Sequence, residues 1–312
     1  MSQLVLITPR SLTGKREPVL DQLEARGFEL RFAKPGQVPT EEQLLELVPG
    51  CVGWIAGIEP ISERVLRAAT KLRVISRNGT GTDNIPLGLA KELGIRIERA
   101  KAANARGVAE LSIALMFAAL RNIPELDHLL RRGVWQRRSG IEIANRLVVV
   151  IGCGAVGRLV VQMAIGLGAQ AAAYDPFPNP TFAPAGNDRF RWISFAEAME
   201  TGDLISLHCP PLEDRTPLLS ASMIGRLKEG CCLVNTARST LVDEAAVLEA
   251  LENGKLRAYA ADVFDVEPPE AGSQLLTHPR VIVTPHIGGF TEESVQRAAQ
   301  AAVDNLLSAL TG

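Results

Sequence analysis

The chain has 312 residues, enough for two domains whose cores need neither metal nor disulfide. Its formal net charge of −2 argues against a generally nucleic-acid-binding or membrane-surface protein. Cys51, Cys153, Cys209, Cys231 and Cys232 sit in apolar settings without metal-ligand spacing, so a reduced, cytoplasmic protein with no metal is expected. The N-terminus lacks the charged start of a signal peptide, and no apolar run approaches the ~20 residues of a membrane span, so no membrane partner is expected.

In chain order, Leu4–Ile7 and Phe28–Phe32 read as strands, with a helical pattern from Pro18 to Arg26 between them. Thr40 caps a helix through Leu47, Cys51–Ala56 is a strand, Ser62–Ala69 a helix and Leu72–Ser76 another strand. This alternation predicts a parallel sheet with helices on its faces. The last strand runs into Arg77-Asn78-Gly79-Thr80-Gly81-Thr82-Asp83-Asn84. A glycine-rich loop at the carboxyl end of a parallel strand is a seat for a carboxylate, or an ordinary turn with Asp83 as helix cap. From Arg67 to Arg106 nine basic side chains face only Asp83, Glu92 and Glu98, which either steers an anionic substrate or forms a solvated face.

Ala103–Leu120 is apolar nearly all round, so it predicts a buried helix that fills a groove between domains, packs on a second subunit, or does both. A helix from Pro124 to Arg132 and a polar connector, Gly133–Asn145, follow. Then Leu147–Ile151 ends in Gly152-Cys153-Gly154-Ala155-Val156-Gly157, an apolar helical pattern, and a second run from Ala171 to Tyr174 that closes on Asp175. The spacing is that of a dinucleotide-binding strand–turn–helix–strand: Gly152 for the turn, Gly154 for approach of a pyrophosphate, Gly157 for close packing. Phosphate oxygens would face the helix N-terminus. Asp175 stands where an acid accepts hydrogen bonds from an adenosine ribose and repels a 2′-phosphate, so NAD is favoured over NADP.

Beyond it, Asp203–Leu207, Cys231–Asn235, Tyr259–Ala261 and Val281–Val283 read as strands, and Phe195–Thr201, Met223–Leu227, Asp243–Leu251 and Glu292–Leu310 as helices. Residues 103–286 thus form a complete doubly wound unit. Arg238, Glu267 and His286 each follow one of its apolar strands. Each alone would be a structural residue or a surface ion pair; together they are the types that hydride chemistry on a 2-hydroxy acid requires. An imidazole, ordinarily titrating near about 6.5, is a proton acceptor for the hydroxyl. A neighbouring carboxylate holds its ring, and a guanidinium grips the substrate carboxylate bidentately.

The chain resembles the D-2-hydroxyacid dehydrogenases, in their phosphoglycerate-dehydrogenase-like branch, over essentially its whole length. The resemblance is carried by Gly79–Ile85, Val108-Ala109-Glu110, the Gly152–Gly157 fingerprint with Tyr174-Asp175-Pro176, His208-Cys209-Pro210, Asn235–Arg238, Asp262–Phe264 through Glu267-Pro268, and Pro285–Gly289. It implies an α/β fold of two doubly wound parallel-sheet domains. One is a Rossmann NAD-binding domain, 101–286, which mediates homodimerisation. The other is a discontinuous flavodoxin-like substrate domain, 1–100 and 287–312, with hinge closure at the crossovers excluding water. It implies Arg238 as polarising cation, His286 as general acid/base and Glu267 as its partner. Thr80, Ala155, Val156, Asp175, Cys209, Thr236 and Asp262 would contact NAD, Asp262 at the carboxamide. Asn78 and Gly79 would offer backbone N–H groups to the substrate carboxylate.

Two features depart from the family pattern: Ser239-Thr240 follow the arginine where glycine is usual, and Gly107 precedes Val108 where serine or alanine is common. Because the sequence ends at Gly312 without a regulatory domain, serine feedback through such a domain is not expected. If two of Arg10, Arg77 and Arg106 converge, they would bind a phosphate or polyhydroxy tail, making 3-phosphoglycerate/3-phosphohydroxypyruvate the first substrate expectation. Without convergence, hydroxypyruvate, glyoxylate or a sugar acid is favoured. A formate- or phosphite-type dehydrogenase and a non-enzymatic NAD-sensing co-repressor on the same fold are the rival readings.

Overall fold

The computed structural model describes residues 3–184 and 187–311. Met1, Ser2, Ala185, Gly186 and Gly312 fall inside the expected domain bounds but lie outside the described residues. The chain forms two units, one running to Asn104 and resuming at Thr291, the other Ala105–Phe290. The crossings fall at 104/105 and 290/291 rather than 100/101 and 286/287, because the helix Ala105–Arg121 begins only after a turn and the loop carrying His286 stays with its strand.

The first unit is a five-stranded sheet of β1 (Gln3–Ile7), β2 (Phe28–Phe32), β3 (Cys51–Ala56), β4 (Val74–Arg77) and β5 (Arg96–Arg99). All pairs are parallel, in the order β2-β1-β3-β4-β5, which is the flavodoxin-like order. Side chains alternate between its faces. Leu6, Trp54 and Ile75 enter one core, whereas Val5, Ile7, Ile55 and Val74 enter the other with Val303 and Leu306 of the last helix. That helix, Glu292–Thr311, therefore belongs to this unit although it ends the chain. The expected helix Pro18–Arg26 is two short pieces, a 3-10 turn Pro18–Leu20 and a helical turn Asp21–Glu24.

The second unit is a seven-stranded sheet: β6 (Leu147–Ile151), β7 (Gln170–Tyr174), β8 (Phe190–Trp192), β9 (Leu204–Leu207), β10 (Cys231–Asn235), β11 (Leu256–Ala261) and β12 (Val281–Val283). Its order, β12-β11-β10-β9-β6-β7-β8, is the Rossmann order with one added strand, and every pair is parallel. Both faces are covered, as a parallel sheet demands. Val149, Ile151, Ile205 and Leu233 face one core, and Val148, Val150, Leu204 and Val234 the other. The helix Ala105–Arg121 buries Leu115, Met116 and Ala119 in that second core, covering the sheet of its own unit. Among the described residues no single helix is long and apolar enough to cross a membrane.

Candidate active site

The strand order of the second unit reverses between β6 and β9, and the fingerprint occupies that switch point. Gly152 has φ +90°, and a Cβ there would stand 2.6 Å from Cys209 N. A Cβ on Gly157 would stand 2.2 Å from Gly152 O, so the helix Ala155–Gly166 can begin where it does only with glycine at that position. Gly154 differs: a Cβ there meets nothing within 4 Å, so the space above it is open to a ligand. Glycine is thus required by the turn at 152, by packing at 157 and by access at 154, which is the cradle a dinucleotide pyrophosphate needs. Asp175, just after β7, accepts from Cys153 N and Phe177 N at 2.9 Å each, which fixes the acid beside the turn. Arg158 donates from Nε to Cys153 O at 3.1 Å and lies over the Phe182 ring, with 5.7 Å to its centroid.

Two cysteines line this turn without being nucleophiles. Burial pushes the Cys153 thiol up to about 12 and the Cys209 thiol up to about 11. His208, next to Cys209, has its Nε2 2.8 Å from Ser206 Oγ, and burial pushes its pKa down to about 3, so the ring is neutral in the folded protein. Thr236, expected at the cofactor, is buried with its hydroxyl 2.8 Å from Ser112 Oγ, which itself donates to Val108 O. Ser112 therefore anchors the strand end before Arg238.

Arg238, Glu267 and His286 follow β10, β11 and β12, three neighbouring strands, at their carboxyl ends. His286 Nδ1 lies 2.7 Å from Glu267 Oε2, and Glu267 Oε1 accepts from Phe264 N at 3.1 Å. The acid is held by a backbone donor on one oxygen and holds the imidazole with the other. Arg238 donates from Nη1 to Ala237 O at 2.7 Å. Its backbone is clamped by Asn235, whose amide donates to Arg238 O at 2.8 Å and accepts from Ala237 N at 3.1 Å. The motif Asn235–Arg238 includes Asn235 without giving it a role; a polar residue closing the apolar run Cys231–Val234 is the signal for one. Ser239, after the arginine, starts a 3-10 turn through Leu241, and Gly107 is buried within its helix.

In the first unit, expected substrate contacts are engaged within the protein. Asn78 N donates to Ala56 O at 2.8 Å and Gly79 N to Arg77 O at 2.9 Å, so both groups expected to meet a substrate carboxylate are bonded within the protein. The Asn78 amide donates to Ser11 Oγ at 3.4 Å. Arg77 is buried and donates from Nη1 to Asn78 O at 2.7 Å, bracing the loop from beneath instead of facing solvent. Arg10 is exposed at the start of the short helix Arg10–Thr13, and Thr80 donates to Asn104 Oδ1 at 3.2 Å. Arg106 belongs to the second unit, where its Nε donates to Glu110 at 2.8 Å.

Comparison with known proteins agrees with this geometry. Residues 113–288 match the family model described as D-isomer specific 2-hydroxyacid dehydrogenase, NAD binding domain. A D-3-phosphoglycerate dehydrogenase of Mycobacterium bovis is 35% identical over 312 residues, covering 99% of this chain and 57% of that protein. A hydroxypyruvate reductase of Thermotoga maritima is 32% identical, covering 95% of this chain and 98% of the relative. A solved structure from Thermus thermophilus superposes with a TM-score of 0.88 at 31% identity, covering 99% of this chain and 97% of the other. A glyoxylate reductase from Paecilomyes thermophila gives 0.86 at 26% identity, covering 99% and 95%. The chain belongs to the D-isomer-specific 2-hydroxyacid dehydrogenase family, and its second unit is that family's NAD-binding domain. It spans about half the length of the phosphoglycerate dehydrogenases it matches.

Proposed function

We propose that the chain is an NAD-dependent oxidoreductase acting between a D-2-hydroxy acid and its 2-oxo acid. The carrying observation is the 2.7 Å contact of His286 Nδ1 with Glu267 Oε2, in the same unit as the fingerprint and beside the strand that bears Arg238. With Nδ1 engaged by a carboxylate, Nε2 is the ring atom left for proton transfer. In oxidation His286 Nε2 takes the hydroxyl proton; in reduction it returns one to the carbonyl oxygen. Arg238 orients the substrate carboxylate and stabilises charge on the oxygen. The residues fit NAD: the open face of Gly154, the helix N-terminus at Ala155 and Val156, and Asp175 would hold it. When bound, it supplies or accepts the hydride. A panel of 2-oxo acids with NADH tests the reading, and it fails if none is reduced or if His286→Ala keeps full turnover. Loss of turnover in that variant also excludes the co-repressor reading.

For the substrate, 3-phosphohydroxypyruvate was the first expectation, and relatives named D-3-phosphoglycerate dehydrogenase support it. One observation favours the alternative. Arg77 is buried, bonded to Asn78 O, and its charge acts on the buried Glu59 carboxyl, so it is not presented to a phosphate. We infer a small 2-oxo acid with an uncharged tail, hydroxypyruvate before glyoxylate. Comparing kcat/KM for hydroxypyruvate and its 3-phosphate decides, because a clear preference for the phosphate reverses the choice. The NAD-binding unit carries exposed Leu130, Val134 and Trp135, and we propose that this patch joins two copies as a homodimer. Five free cysteines, buried or half-buried, support a reducing, cytoplasmic setting.

A further inference from the structure

A second cleft lies in the NAD-binding unit, at the opposite end of its sheet from His286. It holds about 400 Å³ and is bounded by the start of the helix Ile123–Arg131, by Arg138 and Ser139 of the polar connector, and by the amino ends of β11 and β12. Arg138, Arg257 and Arg280 all line it, and among its described lining residues Glu125 is the one acid. Glu125 is engaged by Arg138, whose Nη1 donates to its Oε2 at 2.7 Å. Neither of the other two guanidiniums forms an ion pair among the described residues. Arg257 donates from Nη2 to Ser139 O at 3.4 Å with its Nε enclosed and without a partner, and Arg280 donates from Nη1 to Leu251 O at 2.9 Å. A backbone carbonyl fixes each fork without neutralising it. Exposed arginines elsewhere in the chain, such as Arg16, Arg131 and Arg226, sit against Asp or Glu side chains. Arg280 O accepts from Tyr259 N at 3.1 Å, so Arg257 and Arg280 enter the cleft from the starts of adjacent strands. The helix Ile123–Arg131 turns the positive end of its dipole to the same space, and its N-terminus has no side-chain cap. Three positive side chains against one negative leave an excess of two in a concave site, where like charges repel unless an anion joins them. A guanidinium takes a carboxylate or a phosphate through two parallel N–H···O bonds, and clefts of this volume hold small molecules.

We propose that this cleft is an anion site, separate from the cofactor cradle and from Arg238, that takes a small dianion, a dicarboxylate or a phosphate, between Arg257 and Arg280. Glu125 opposes the ligand from the wall it shares with Arg138. The site stands apart from the proposed activity, so its test needs no turnover. Succinate and inorganic phosphate are titrated into the full chain by calorimetry, with sodium chloride at matched ionic strength as the control. The expected result is saturable binding of one anion per chain that chloride does not reproduce, with a melting temperature that rises with anion concentration. Arg257→Gln and Arg280→Gln each weaken it by about 10-fold or more, the scale of one charged hydrogen bond. Glu125→Gln removes the opposing carboxylate and tightens it, a gain that a merely structural role for Glu125 does not give. Arg238→Gln leaves it unchanged. Tighter binding of succinate or of phosphate tells which of the two anionic groups the site is built for. The proposal is overturned if neither anion exceeds chloride, if Arg238→Gln abolishes the binding and so places it in the active site, or if both Arg257→Gln and Arg280→Gln bind as the unaltered chain does. Binding seen only when Trp135→Glu separates two copies also overturns it, since a second copy then fills the cleft. If the arginine variants do not fold, Glu125→Gln decides alone: tighter binding supports the site, and equal affinity refutes it.

Discussion

Glu267 faces His286 with one oxygen and a backbone N–H with the other, so its charge and its geometry can be separated by substitution. Glu267→Gln keeps an acceptor for Phe264 N while removing the charge that stabilises the imidazolium. The expected outcome is a fall in kcat of about 10- to 100-fold with little change in NADH affinity, measured by steady-state kinetics and titration. Glu59 is a residue of another kind. Burial pushes its carboxyl pKa up, against the pull of the Thr8 hydroxyl, the Gly57 N–H and Arg77. Glu59→Ala leaves buried Thr8 and Gly57 N without this acceptor and should cost about 1–3 kcal/mol in urea unfolding, whereas Glu59→Gln should cost less. His208 gives a pH dependence of defined sign. It is neutral when folded, with a pKa near 3, and in the unfolded chain takes a proton near about 6.5. The unfolded state therefore binds more protons between these values, and this contribution to stability falls as pH drops through that window. In His208→Asn the decline in urea midpoint between pH 7 and pH 4 should be shallower; an unchanged slope would show that the ring protonates without cost.

At the scale of elements, the fingerprint turn separates two uses of glycine. Gly157→Ala places a Cβ against Gly152 O and should lower both thermal stability and NADH affinity. Gly154→Ala meets nothing in the protein, so melting temperature should hold while NADH affinity falls, because the added methyl occupies the approach of the pyrophosphate. Equal loss of stability in both variants would contradict this. Strands in the interior of the sheet were legible in advance: Leu147–Ile151 and Cys231–Val234 are continuous apolar runs of the kind that a sheet covered on both faces requires. Of the four edge strands, β2 and β12 were legible too, but β5 and β8 were not. β5 is Arg-Ile-Glu-Arg and β8 Phe-Arg-Trp, short and half-polar because an edge strand has a partner on one side only. Arg10–Thr13 escaped notice because a single helical turn leaves no periodicity to read.

For the whole molecule, joining two copies through Leu130, Val134 and Trp135 predicts that Trp135→Glu shifts the mass in solution from dimer to monomer by light scattering, with the fold retained by circular dichroism. A monomeric unaltered chain would dismiss that interface. The sequence by itself determined the α/β class, the nucleotide turn, and the residue types of the triad, because these depend on local patterns: apolar runs, glycine spacing and polar residues at strand ends. It also raised Asn78, Gly79 and Arg77 as substrate contacts, but a sequence does not say whether an N–H or a guanidinium is already bonded. Only the tertiary structure decided that Asn78 N is taken by Ala56 O, that Arg77 braces its own loop, and that Asp262 gathers Thr284, Ile287 and Gly288 around His286. Each of these bonds joins atoms brought together by strand order, and strand order is set by how both faces of each sheet are buried, not by any neighbouring residue.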